Sequence, residues 1–276
     1  MSGRRDSNPR HSAWEADTLP TELRPHFTFQ KYLFILYIAT TFLSLIDFHN
    51  LKLNKTQKKY LELTIITGIT FIAFFFWDSL IIYPIKLFVV LLHEISHGLA
   101  AIISGGRVVS LNINLQLGGE CLIENGNKFL IASAGYLGSL LWGSFLFISG
   151  YNYKISLWST TIISVILLLF MANFITGSTG IVLSIIFIIV LFISPRYLPK
   201  FMNSYILKSL GLISAFYAFI DIKEDVVTLT ERQSDAMIIA QITNTHPIIW
   251  GLLWLLISSV IIFFLFKYAF DKGYKS

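Results

Sequence analysis

The sequence predicts an all-α polytopic membrane protein of about seven to eight transmembrane helices, with a small β-hairpin inserted after one of them. Three observations carry this. Of 276 residues, 55% are hydrophobic and only 13% charged, about half the charge of a soluble domain, and the mean hydropathy is +0.68. Apolar runs near the length of a bilayer crossing recur along the chain. One stretch, Val108 to Leu115 (VVSLNINL), abandons the helical period and alternates apolar with polar residues, as a half-exposed strand does.

Composition also excludes several classes. The single cysteine, Cys121, rules out an internal disulfide and a zinc site built from several thiolates. The formal charge of +5 is spread over both termini and two loops. It reads as membrane topology and contact with a lipid bilayer, and no nucleic-acid partner is expected.

Residues 1–30 are polar, carry Pro9, Pro20 and Pro25, and lack the apolar core of a signal peptide, so they read as a disordered tail. Residues 31–268 read as one integral membrane domain and 269–276 as a short basic tail. Within the domain, the first span, Tyr32 to Ile46, is short for a crossing of about 20 residues. A lysine-rich loop follows, containing the sequon Asn54-Lys55-Thr56. The second span, Leu63 to Tyr83, is interrupted by Asp78. Pro84 opens the next helix, 84–104, at a position where its missing N–H costs nothing, and Ser104-Gly105-Gly106 supplies a glycine stop.

The hairpin is expected over 107–124, with Leu117-Gly118-Gly119 as its turn and Asn125-Gly126 closing it. Such backbone near a membrane must be sheltered by protein, and its free edge could hold a substrate in extended form. The fourth span, Phe129 to Ile148, carries Ala134-Gly135-Tyr136-Leu137-Gly138-Ser139. Its small residues predict close packing on the helix before the hairpin. Spans at about 155–175 and 179–194 are nearly featureless, with Asn173 as a helix-end amide, and a basic loop follows from Pro195 to Lys200. The seventh span, Tyr205 to Ile220, leads into Asp221-Ile222-Lys223-Glu224-Asp225. Ser234 is placed to cap a short helix, and His246-Pro247 introduces the last span, Ile248 to Phe266. Arg4, Arg5, Arg10, Lys267, Lys272 and Lys275 put both ends on the cytosolic side. The lysine loop conflicts with that orientation unless the first span stops short of a full crossing.

The chemistry concentrates in helix 84–104. His93, Glu94 and His97 read HEISH inside an apolar run. Residues i and i+4 share a helix face, so both imidazoles can point at one ion, and Glu94 sits beside any water that ion holds. HExxH on a helix is a zinc-hydrolase pattern, with two histidines as ligands and the glutamate as general base. The alternative is polar glue between helices, but three such groups on adjacent turns are hard to satisfy in lipid without an ion. Catalytic zinc usually takes a third protein ligand. Asp221, Asp225, Asp235 and His246 are the candidates near apolar segments; His246 reads as an interfacial residue, and spacing does not choose among the aspartates.

The run YPIKLFVVLLHEISHGLAAIISGGRVVSL followed by AGYLGSLLWGS resembles the compact branch of the site-2-protease-like intramembrane zinc peptidases. IDIKED (Ile220 to Asp225) is similar to that branch's WDIxDD motif and Ser234-Asp235-Ala236 to its SDA motif, so the resemblance covers roughly residues 80–265. It implies an integral membrane zinc peptidase with His93 and His97 as metal ligands, Glu94 as general base, and Asp221 or Asp235 as the third ligand. Membrane-protein substrates cleaved in or near their transmembrane segments would follow. Ile220 replaces the motif's Trp and Glu224 its Asp. The Leu-Asp-Gly motif of other site-2 proteases is absent, so their third ligand does not carry over. A catalytically inactive membrane scaffold that binds transmembrane partners through the small-residue helix is the alternative.

Overall fold

The computed structural model describes residues 54–77, 79–80, 82–227 and 234–272, without the side chains of 223–227. The expected tail, the first span, Asp78, the Asp225 side chain and the last residues of the basic tail lie outside the described residues. Eight helices and a three-stranded sheet are described: α1 (Lys55–Phe75), α2 (Tyr83–Ile103), β1 (Arg107–Ile113), β2 (Gly119–Glu124), α3 (Lys128–Ser149), α4 (Tyr153–Asn173), β3 (Ile175–Thr176), α5 (Ser178–Tyr197), α6 (Lys200–Val227), α7 (Asp235–Thr243) and α8 (Pro247–Lys272). Among the described residues, α2, α3, α4, α5, α6 and α8 are long and apolar enough to cross a membrane.

Local chemistry sets the boundaries. α1 begins eight residues before the expected second span, because Asn54 accepts from the Gln57 N–H at 2.8 Å while Gln57 returns a bond to the Asn54 N–H at 2.9 Å. This capping box starts the helix among lysines. α2 opens on Tyr83-Pro84 and ends at Ser104, with Gly105 at φ +80°, the left-handed conformation that glycine adopts without strain. α5 runs through Pro195 to Tyr197, where a loop was expected. A proline so near the C-terminus breaks only one helical bond, and Arg196 Nη2 donates to Thr161 Oγ1 at 2.8 Å to hold that turn on α4. Ser234 caps α7, accepting from Met237 N–H at 3.3 Å.

The hairpin forms as the alternation requires, with β1 antiparallel to β2. A bulge between Val108 and Ser110 shifts the period by one, so Val108, Leu111 and Ile113 all face inward. The sheet order is β2-β1-β3. β3 was not foreseen: it pairs parallel to β1 at Leu111 and Asn112, and Leu111 N–H donates to Phe174 O at 2.8 Å. The hairpin folds back along α2. Gly106 N–H donates to Ala101 O at 2.8 Å at one end, and Tyr83 Oη donates to Leu115 O at the other. These bonds tie both ends of the hairpin to α2.

α2 is buried around most of its circumference from Lys86 to Ala101. Its core partners include Leu111 and Ile113 of the hairpin, Ile163, Leu167 and Phe170 of α4, and Leu207 of α6. α3 and α6 cross with their backbones in contact. A Cβ on Gly143 would lie 2.5 Å from Ala215 N and 2.6 Å from Gly211 O. Dispersion between closely approaching backbones is a main source of helix association in lipid. Gly143→Ala should therefore destabilise the protein by about 1–3 kcal/mol through overpacking. Gly68→Ala on α1, where a Cβ meets nothing among the described residues within 4 Å, should be neutral or stabilising. Denaturant unfolding in detergent micelles compares the two.

Candidate metal centre

Four elements converge on the HEISH residues. α2 presents His93 and His97 one turn apart, with ring centroids 4.8 Å apart. The first turns of α3 pass beside them, and Gly135 faces them with no side chain of its own: a Cβ there would lie 2.5 Å from His93 Cε1, His93 Nε2 and Asp235 Oδ2. α7 brings Asp235 as its first residue, and α6 brings Asp221 near its C-terminal end.

The distances separate the two aspartates. His93 Nε2 lies 3.1 Å from His97 Nε2. Asp235 Oδ2 is 3.4 Å from His93 Nε2 and 3.3 Å from His97 Nε2. Asp221 Oδ2 instead lies 3.2 Å from His93 Nδ1, the ring's other nitrogen. On His97 the corresponding Nδ1 is 2.7 Å from the carbonyl oxygen of Ile131. The structure thus gathers His93, His97 and Asp235 into one group able to hold a metal ion and sets Asp221 behind His93. His246 is exposed at the start of α8.

The donor set fits a cation. Two imidazole nitrogens and a carboxylate oxygen form a triangle with edges of 3.1–3.4 Å. Tetrahedral ligands at the zinc–nitrogen distance of about 2.0–2.1 Å stand ~3.3 Å from one another. Among the described residues, Asp235 Oδ2 is buried and makes no aligned hydrogen bond, an arrangement that is costly unless a cation completes it. Burial alone would raise the Asp235 carboxyl, but the His97 and His93 imidazoles outweigh it and hold it well below the usual carboxylate range. It is an anionic donor.

Glu94 is buried with 8% of its surface exposed and turns toward the hairpin. A Cβ on Gly119, the first residue of β2, would sit 2.6 Å from Glu94 Cδ and closer still to Cγ and Oε1. Cys121, two residues on, has its thiol pushed up to about 12, chiefly by burial and then by Glu94, so it stays protonated. Tyr136 on α3 meets the His93 ring edge-on at 5.9 Å and packs against Trp254 of α8 at 4.5 Å. Gly119, Gly135 and the Ile131 carbonyl are parts of the site that motif spacing did not mark. The glycines were legible as a turn and a close helix contact, while the residues they face depend on tertiary packing.

A model of the peptidase M50B-like family matches residues 65–265, well over half of the chain. The chain belongs to the peptidase M50B-like family. All of His93, Glu94, His97, Gly119, Gly135, Asp221 and Asp235 lie inside the M50B-like region. This agrees with the resemblance to site-2-protease-like peptidases, and with the six apolar helices it makes the protein an integral, multi-pass membrane protein. No curated protein and no solved structure matches the chain.

Proposed function

We propose that the protein is an intramembrane zinc metalloprotease that hydrolyses peptide bonds in or near transmembrane segments of other membrane proteins. The observation that carries this is the triangle of His93 Nε2, His97 Nε2 and Asp235 Oδ2, whose edges suit a tetrahedral ion. In this assignment His93, His97 and Asp235 are the three protein ligands. A zinc ion held by these residues would supply Lewis acidity toward the scissile carbonyl and toward a water. Glu94 accepts that water's proton and later delivers it to the leaving amine nitrogen. Its burial against β2 keeps bulk water away from the proton in transit.

The substrate is taken in extended form. A helix hides its carbonyls in hydrogen bonds, so a transmembrane segment must unwind before its peptide bond is attacked. β2 is the outer strand of the sheet, and among the described residues no strand pairs with its free side. Backbone added along that side would pass Gly119, and therefore Glu94, with its polar groups paired.

The test is metal removal. Wild-type protein purified in detergent should carry about one zinc per chain, and His97→Ala very little. Chelation should abolish cleavage of a reconstituted transmembrane substrate, and added zinc should restore it. Wild-type protein with zinc far below one per chain, or cleavage indifferent to chelation, would overturn the assignment.

A further inference from the structure

We infer that Asp221 is a positioning residue for the metal ligand His93, acting on the ring nitrogen that faces away from the ion. The inference rests on the zinc reading above. A neutral imidazole that offers Nε2 as a ligand carries its proton on Nδ1. Among the described residues, His93 Nδ1 is buried and makes no aligned hydrogen bond, and a buried N–H left without an acceptor is costly. Asp221 Oδ2 stands 3.2 Å away, at ion-pair reach, and a small rotation of either side chain makes it that acceptor. Metal-bound histidines almost always hand their second N–H to such a partner, which fixes the tautomer and raises the basicity of the ligand.

The two histidines are held differently. His97 gives its Nδ1–H to a neutral backbone carbonyl, that of Ile131 at 2.7 Å. No substitution at residue 131 removes that acceptor. His93 faces the carboxyl group of a side chain on α6. Asp221 therefore does two separable things: it orients the ring, and it adds charge that strengthens His93 as a donor. The last turns of α6 are thereby tied to the metal without contributing a ligand, which accounts for a carboxylate lying within one ring's width of the cluster.

The experiment is a competition titration of purified apoprotein against a chelator of known zinc affinity, with the apoprotein's thermal midpoint recorded for each variant. Asp221→Ala should weaken zinc binding by roughly 10- to 100-fold, the range found when outer partners of metal ligands are removed, while a full equivalent still binds at saturation. Asp221→Asn keeps an acceptor but loses the charge, and should fall between wild type and Asp221→Ala. Asp221→Glu should recover part of the loss. Thermal midpoints should stay within a few degrees of wild type. If Asp221→Ala binds zinc as tightly as wild type, the positioning role is wrong and the zinc reading survives. If Asp221→Ala loses the equivalent altogether, as Asp235→Ala should, Asp221 is a ligand. If Asp221→Ala fails to fold, Asp221→Asn decides, and wild-type affinity in that variant also sinks the proposal. A wild-type protein that binds no zinc is a failure of the zinc reading itself.

Discussion

Gly135→Ala should strip the protein of zinc. The added methyl would fall 2.5 Å from His93 Cε1 and Nε2 and 2.5 Å from Asp235 Oδ2, inside the contact distance of all three atoms. Position 135 lies within α3, where alanine is the better helix former by about 1 kcal/mol, so the helix itself does not resist the change. The nearest atoms belong to His93 and Asp235, two of the three proposed donors, which must separate to admit the methyl. We expect zinc affinity to fall by at least ~100-fold, comparable to the largest losses from disturbed ligand shells, and cleavage to disappear with it. Elemental analysis of dialysed protein reads the first and a reconstituted substrate the second. Gly138→Ala on the next turn is the contrast. Its methyl meets Ser96 Oγ and Cβ, not a donor, so it should lower stability and leave zinc in place. Full zinc occupancy in Gly135→Ala would mean that α3 does not pack on the donors as described.

Gly135 is legible in the sequence as a small residue, but its place against His93 and Asp235 follows from tertiary packing alone. HEISH was legible because its geometry is local: two residues four apart share a helix face wherever the helix lies. The hairpin was legible through its alternation, and the α7 cap through Ser234. Asp221 and Asp235 were inseparable because their distinction is a matter of rotation and depth, fixed only when α6 and α7 pack against α3. One presents its carboxylate to Nε2 and the other to Nδ1 of the same ring, a difference of a few ångströms with no trace in spacing. β3 escaped because Ile175-Thr176 is too short to show a period. It exists only as a partner for Leu111 and Asn112. The onset of α1 lies outside the apolar run because the Asn54–Gln57 capping box, and not hydropathy, starts the helix.

Gly119→Ala and Glu94→Gln should share a phenotype for different reasons, and both should keep zinc. Glutamine fills the same volume as the glutamate but does not accept the water's proton, so cleavage should fall by about 10²–10⁴-fold, the worth of general-base catalysis. Alanine at 119 leaves the carboxylate intact and takes its place: the methyl overlaps Glu94 Cγ, Cδ and Oε1, so the base must turn away from where β2 now holds it. A drop on the order of 100-fold or more follows from displacing a proton acceptor by about an ångström. The two positions are in contact, so their effects should not add. Glu94→Ala removes the base together with Cγ, Cδ and Oε1, the atoms the methyl would overlap. The double variant Glu94→Ala with Gly119→Ala should therefore cleave no worse than Glu94→Ala alone. Fully multiplicative losses in that double variant, or wild-type turnover in Gly119→Ala, would show that the hairpin does not hold the glutamate in its working position.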